Sequence, residues 1–268
     1  MIRTQTDQFR TILAREFRTI RRRRQTWLLA GGVILLFLGI SLLSNALGYV
    51  PLVLSLQTPV EIIIPVITAT IGYRSLLEDR ERHEDQLIQT YPVDPLTYVG
   101  AIYVARAALV IGIIVGGLLV AGLPVVFLLP ETPTLIRTSG FDSPIFYFRF
   151  ITLSVLYSMS VLAVFMMLSA LVSGRQQALI VAVIGVGMIT VGLDLALILG
   201  LARDFVGGDM LSILLALSPA SAYRGLIMTY VVSPVVISTT PAGIPFLNVI
   251  SLLLWLGISL AIANWRVL

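Results

Sequence analysis

Residues 97–129, TYVGAIYVARAALVIGIIVGGLLVAGLPVVFLL, run for 33 positions with Arg106 as their only charged side chain. A hydrocarbon layer about 30 Å thick is crossed by about 20 apolar helical residues, each rising about 1.5 Å. This run therefore predicts a membrane span, long enough to tilt or to begin outside the bilayer. A soluble fold would have to bury it on every side, and the rest of the chain offers little to cover it with. Of the 268 residues, 57% are hydrophobic and 12% charged, and the mean hydropathy is +0.98. A soluble domain is nearer a quarter charged. The excess apolar surface is expected to face lipid, so the fold class is an all-α membrane protein.

Five further apolar runs flank the first. On the amino-terminal side, Trp27 to Leu47 ends at Gly48 and Pro51, and Pro59 to Leu77 carries Pro65 inside and Glu61 near its start. On the carboxy-terminal side lie Ile145 to Val172, Ala178 to Leu201, and Ile244 to Ala263. The short polar turn Ser173 to Gln177 makes the fourth and fifth spans antiparallel neighbours. A six-span bundle follows. Between Ala202 and Gly243, Leu211 to Leu217 is too short to span; Pro219 breaks it, and Ala222 to Val232 resumes it. We read two short helices there, re-entrant or interfacial, with a seventh span as the alternative. Residues 7–25 read as an amphipathic helix: Phe9, Ile12, Leu13, Phe17 and Ile20 share one face, and arginines cover the rest. Such a helix is expected in the membrane interface, against anionic headgroups of the membrane lipids. No second globular domain and no internal repeat is detectable, so residues 1–268 are read as one transmembrane domain.

Charge and residue choice narrow the chemistry. All 18 basic residues are Arg; there is no Lys and no Cys, and His83 is the only His. A P-loop needs a Lys to reach the phosphates, so the chain is not itself a standard nucleotide hydrolase. Schiff-base chemistry, thiolate metal sites and two-imidazole sites are excluded on the same ground. The pI near 9.7 comes from arginines crowded beside the first span rather than from a nucleic-acid surface. Arginine bias in the connecting segments places the amino terminus, residues 78–96, the turn at Arg175 and the carboxy terminus in the cytoplasm. No cleavable signal peptide is expected.

Residues 78–93, Glu78 to Val93, form the main cytoplasmic segment between spans. They interleave both charge signs, and Leu87, Ile88 and Tyr91 give a short helix one apolar edge before Pro92 and Pro95 stop it. The pattern suits docking to a cytoplasmic partner; the plainer reading is a solvated loop. The acidic-Arg-Glu-Arg run, the Leu-rich turn and the Pro-Val between spans two and three resemble the coupling segment of ABC-2 type transporter permeases. Arg80, Glu81, Arg82, Leu87, Ile88 and Pro92 carry the match, with Tyr91 on the same edge; His83-Glu84 and Gln86 depart from it. Ser218-Pro219 with Tyr223-Arg224 resembles a second, weaker element of that family. The resemblance covers nearly the whole chain. It implies six spans, an amino-terminal interfacial helix and short helices between spans five and six. It also implies a prokaryotic cytoplasmic membrane, an exporter, a second permease copy (identical or not) and a separate ATPase subunit holding ATP and Mg. The chain would then be no enzyme and hold no cofactor.

Ionisable residues inside spans are costly and default to functional candidates. Glu61, Arg106 and Asp194 qualify. Glu61 is expected near the outer end of its span, within reach of the interface. Arg106 is expected to snorkel inward, and Asp194 to be buried, either bonding across helices or meeting substrate. Leu171 to Gln177 resembles an ATPase signature, but with no P-loop it reads as a turn. Met159, Met166, Met167 and Met188 suit a soft metal in principle and ordinary packing better. Spans one, two and five are expected at a dimer interface, through small residues in span five (Ala182, Gly185, Gly187, Gly192) and Gly31 and Gly32 in span one; the alternative is that these residues pack within one subunit. An ATP-independent membrane scaffold is the alternative function, and an intramembrane hydrolase a more distant one.

Overall fold

The computed structural model describes residues 5–44, 46, 48–73, 75–77, 94–128, 142–203, 211–235 and 244–267. Among them there is no strand, and six helices are long and apolar enough to cross a membrane. An amphipathic helix α1 (Gln5–Arg22) leads into α2 (Arg24–Leu43), α3 (Tyr49–Gly72), α4 (Pro95–Leu128) and α5 (Pro144–Leu171). The fifth span is α6 (Arg175–Gly187), a π-helical stretch (Met188–Gly192) and α7 (Leu193–Ala202). Two short helices follow, α8 (Leu211–Leu217) and α9 (Pro219–Ile227), and then the last span, α10 (Pro245–Val267). The protein is an all-α membrane bundle of six spans with short helices between the fifth and sixth.

Helix α3 begins ten residues before the expected Pro59. Pro51 lies in its first turn, where a missing N–H leaves no hydrogen bond unmade. The Asp142 carboxylate, from the segment before α5, accepts the Tyr49 N–H (2.6 Å) and the Val50 N–H (3.2 Å). It thus satisfies two orphan donors of the helix end and complements its dipole. A Cβ at position 48 would run into that same carboxylate, so Gly48 keeps the cap in place. Pro59 and Pro65 sit inside α3. Pro65 cannot donate to the carbonyl of Glu61, and the Tyr157 hydroxyl reaches it instead at 3.5 Å.

Span α5 is central: 61% of its apolar window is buried, against 17% for α2 and for the fifth span. Apolar burial does little to join helices in lipid, where close packing and polar contacts take over. Those contacts are abundant around α5. Tyr147 Oη donates to the Leu118 carbonyl at 2.6 Å, Tyr103 Oη to the Met159 carbonyl at 3.0 Å, and Ser160 Oγ to the Leu252 carbonyl at 2.8 Å. Span α2 lies against α4, where Ser41 Oγ donates to the Ala121 carbonyl at 2.6 Å. Phe37 fills the notch left by Gly117, where an added Cβ would come within 2.9 Å of its ring.

Helix α1 packs along α4. Its buried Glu16 lies 3.6 Å from Arg106 of α4, and Arg106 also donates to the Ile71 carbonyl at the end of α3. Arg106 therefore ties three helices together instead of snorkelling to headgroups. Helices α8 and α9 form a half-span hairpin. Trp255, halfway along α10, donates through Nε1 to the Leu217 carbonyl at the hairpin tip (2.9 Å). Arg149, in the second turn of α5, donates to the Tyr230 carbonyl (3.1 Å). The tip thus sits at mid-height, and the returning arm climbs back to the level where α5 begins.

Candidate functional site: a charged cluster at mid-height

Glu61 is the thirteenth of the 24 residues of α3, about 18 Å from its start at 1.5 Å per residue. It lies halfway through the span, not near its outer end, because the helix begins at Tyr49. Its side chain is 7% exposed. A carboxylate at that depth needs a partner, and the half-span hairpin supplies one. Ser218 caps α9, with its Oγ accepting the Ser221 N–H at 3.4 Å, and Pro219 occupies the first turn. One turn further on, the helix delivers Ser221, Tyr223 and Arg224 to the same height.

Arg224 grips Glu61 with two nitrogens: Nε lies 3.3 Å from Oε2, and Nη2 donates to Oε1. The same Nη2 is 3.2 Å from Asp194 Oδ2. Ser221 Oγ donates to Asp194 Oδ1 at 2.6 Å. Three elements thus meet in one cluster: α3, α7 and α9. Glu61 and Asp194, read from the sequence as separate candidates, share one guanidinium.

The cluster rests on a polar-aromatic floor. Tyr157 of α5 stacks on Tyr223 of α9 with ring centroids 4.6 Å apart and planes 12° from parallel. Tyr223 Oη and Ser154 Oγ are 2.8 Å apart. Ser154 directs its hydrogen at the Phe150 carbonyl, so Tyr223 is the donor of that pair. Tyr157, Tyr223 and Ser154 are fully buried. With Tyr157 also bonding the Glu61 carbonyl, the floor orients both α3 and the hairpin.

The cluster is not sealed. The Arg224 side chain is 44% exposed, although it lies at mid-height. Hydrocarbon is a poor neighbour for a guanidinium, so this face belongs against protein or water. Two carboxylates and one guanidinium can bond, orient and separate. Among the described residues no group of three or more His, Asp and Glu could hold a metal.

Other sequence candidates fall elsewhere. Arg106 is outside the cluster, in the α1–α3–α4 junction. The coupling segment, with Arg80, Glu81, Arg82, Leu87, Ile88, Tyr91 and Pro92, lies outside the described residues. The expected turn is shorter than its polar run: only residues 172–174 separate α5 from α6, and Arg175 to Gln177 already belong to α6. Met166 is fully buried in the core and Met188 is 51% exposed. Gly185 packs within the chain, since a Cβ there would meet Phe165 at 3.1 Å and Leu168 at 3.2 Å. Gly31, Gly32 and Gly187 face open space. Arg224 lies between the fifth and sixth apolar runs, so the search for charges inside spans does not reach it; its one sequence signal is the Tyr223-Arg224 pair. No family model matches the chain, and no curated protein does.

Proposed function

We propose that this chain is the membrane subunit of an ATP-driven exporter of the ABC-2 type. It pairs with a second permease copy and with two separate ATPase subunits in a prokaryotic cytoplasmic membrane. The observation that carries the reading is the order of elements: an amphipathic helix, five spans, a half-span helical hairpin and a sixth span. That is the order the resemblance implies, and it accompanies the coupling-type segment at residues 78–93.

The placement of the charged cluster suits such a machine. Residues 78–93 join α3 to α4, so a push from an ATPase would reach those two spans first. Glu61 rides on α3 and Arg224 on the hairpin. Relative movement of the two would break or remake the Glu61–Arg224 contact without breaking a covalent bond. The exposed side of Arg224 lies where a second copy or an aqueous path would cover it.

Affinity purification of the chain from native membranes in mild detergent tests the reading. A P-loop ATPase should co-purify in stoichiometric amount. Ile88→Glu should insert normally and lose that partner, because the socket would bury an unpaired charge. Wild-type chain that purifies without any ATPase would sink the transporter reading and favour the scaffold. An Ile88→Glu chain that keeps its ATPase would remove residues 78–93 from the docking surface.

A further inference from the structure

A groove of about 720 Å³ opens between α1, α2 and α4, away from the charged cluster. Its size falls within the range of roughly 300–1,000 Å³ typical of small-molecule sites. One end is basic and the rest is apolar. Arg18 and Arg21 of α1 stand at that end, while Trp27, Ala30, Gly112 and Ile113 line the walls. Two bonds hold the groove open. Trp27 Nε1 donates to the Arg21 carbonyl at 3.1 Å, fixing the corner between α1 and α2. The Glu16–Arg106 pair pins the middle of α1 to α4.

Charge complementarity selects the occupant. Arg18 and Arg21 are both exposed, and among the described residues neither has an ion-pair partner. The nearest acid on their helix, Glu16, is already committed to Arg15 and Arg106. A ligand that fits must carry an anionic head and a long apolar tail, with the head at the level of an amphipathic helix. We infer that the groove binds one anionic phospholipid, its phosphate on Arg18 and Arg21 and an acyl chain along α2 and α4 past Gly112. The lipid is a bound component that completes the α1–α2–α4 corner, distinct from the general attraction of a basic helix for a charged surface. The inference does not depend on the transporter reading.

Thermal unfolding of the detergent-purified full chain, titrated with phosphatidylglycerol or with phosphatidylcholine of the same acyl chains, tests it. Binding to the folded state alone raises the melting temperature, so the shift reports affinity. Wild type should be stabilised by phosphatidylglycerol and far less by phosphatidylcholine. Two variants separate head from tail. Arg18→Gln/Arg21→Gln should weaken phosphatidylglycerol about thirtyfold, each basic side chain near a headgroup contributing about a factor of five. Gly112→Leu leaves both arginines and should fill the groove, because a Cβ at Gly112 meets nothing within 4 Å; it should abolish the shift. Equal stabilisation of wild type by the two lipids overturns the proposal. So does a Gly112→Leu chain that binds like wild type, which would leave only surface attraction. An arginine variant that binds like wild type would make the groove a site for uncharged apolar molecules and also overturns it.

Discussion

Three charges share the interior of the bundle, and their geometry decides what they are for. At an effective dielectric near 20, two opposite charges about 4 Å apart attract by about 4 kcal/mol, while withdrawing each ion from water costs several kcal/mol. The sum is small, so the Glu61–Arg224–Asp194 cluster adds little net stability and serves mainly to fix where the hairpin sits. Removing Arg224 is another matter, since the Glu61 carboxylate left behind is still desolvated. Glu61→Gln and Arg224→Gln should therefore each destabilise, and the double variant should lose less than the sum of the two. The coupling from a double-mutant cycle, read by denaturation in detergent, should be about 1–3 kcal/mol. A coupling indistinguishable from zero would mean that water screens the pair and that the hairpin is held by the Tyr157–Tyr223 stack alone. Glu61 and Asp194 were legible as unusual carboxylates because a charge inside an apolar run stands out. Their common partner was not. Arg224 is 163 residues from Glu61 and 30 from Asp194, and no local periodicity records a contact across such separations.

At the scale of elements, the π-helical stretch in the fifth span sets the orientation of Asp194. A π turn holds one residue more than an α turn, and each α-helical residue turns the chain by about 100°. Deleting Val191, whose side chain is 60% exposed, should restore α-helical winding and swing Asp194 away from Ser221 and Arg224. Asp194→Asn should then destabilise the wild-type chain and be neutral in the deletion background, as measured by thermal unfolding. Equal effects in both backgrounds would show that Asp194 reaches its partners regardless of the stretch. Sequence periodicity marks where a span exists more reliably than where it starts. Gly48 and Pro51 read as a break, yet the helix begins between them because Asp142 caps it from another segment. The π stretch left no trace in an all-apolar run, where every helical face is equally hydrophobic.

The class of the molecule was legible in bulk composition, because too few polar side chains exist to coat a soluble surface. Its orientation rests on arginine bias and is open to direct test. The chain has no Cys, so single cysteines report without a background. A Cys at Gly174, in the turn before α6, should resist a membrane-impermeant maleimide until the cells are opened. A Cys at Arg203, past the end of α7, should react from outside. The reverse pattern would invert the molecule and place the amphipathic helix on the outer face. The hairpin also dictates an order of assembly. With seven residues in α8, and nine in α9 continued by five π-helical residues, Met228–Val232, neither arm reaches across about 30 Å of hydrocarbon, and the broken backbone at Leu217 and Ser218 is tolerated only inside protein. The Leu217 carbonyl finds its donor on Trp255, a residue synthesised 38 positions later. During translation, then, residues 211–235 wait at the membrane surface until α10 has entered, and the charged interior closes only after that.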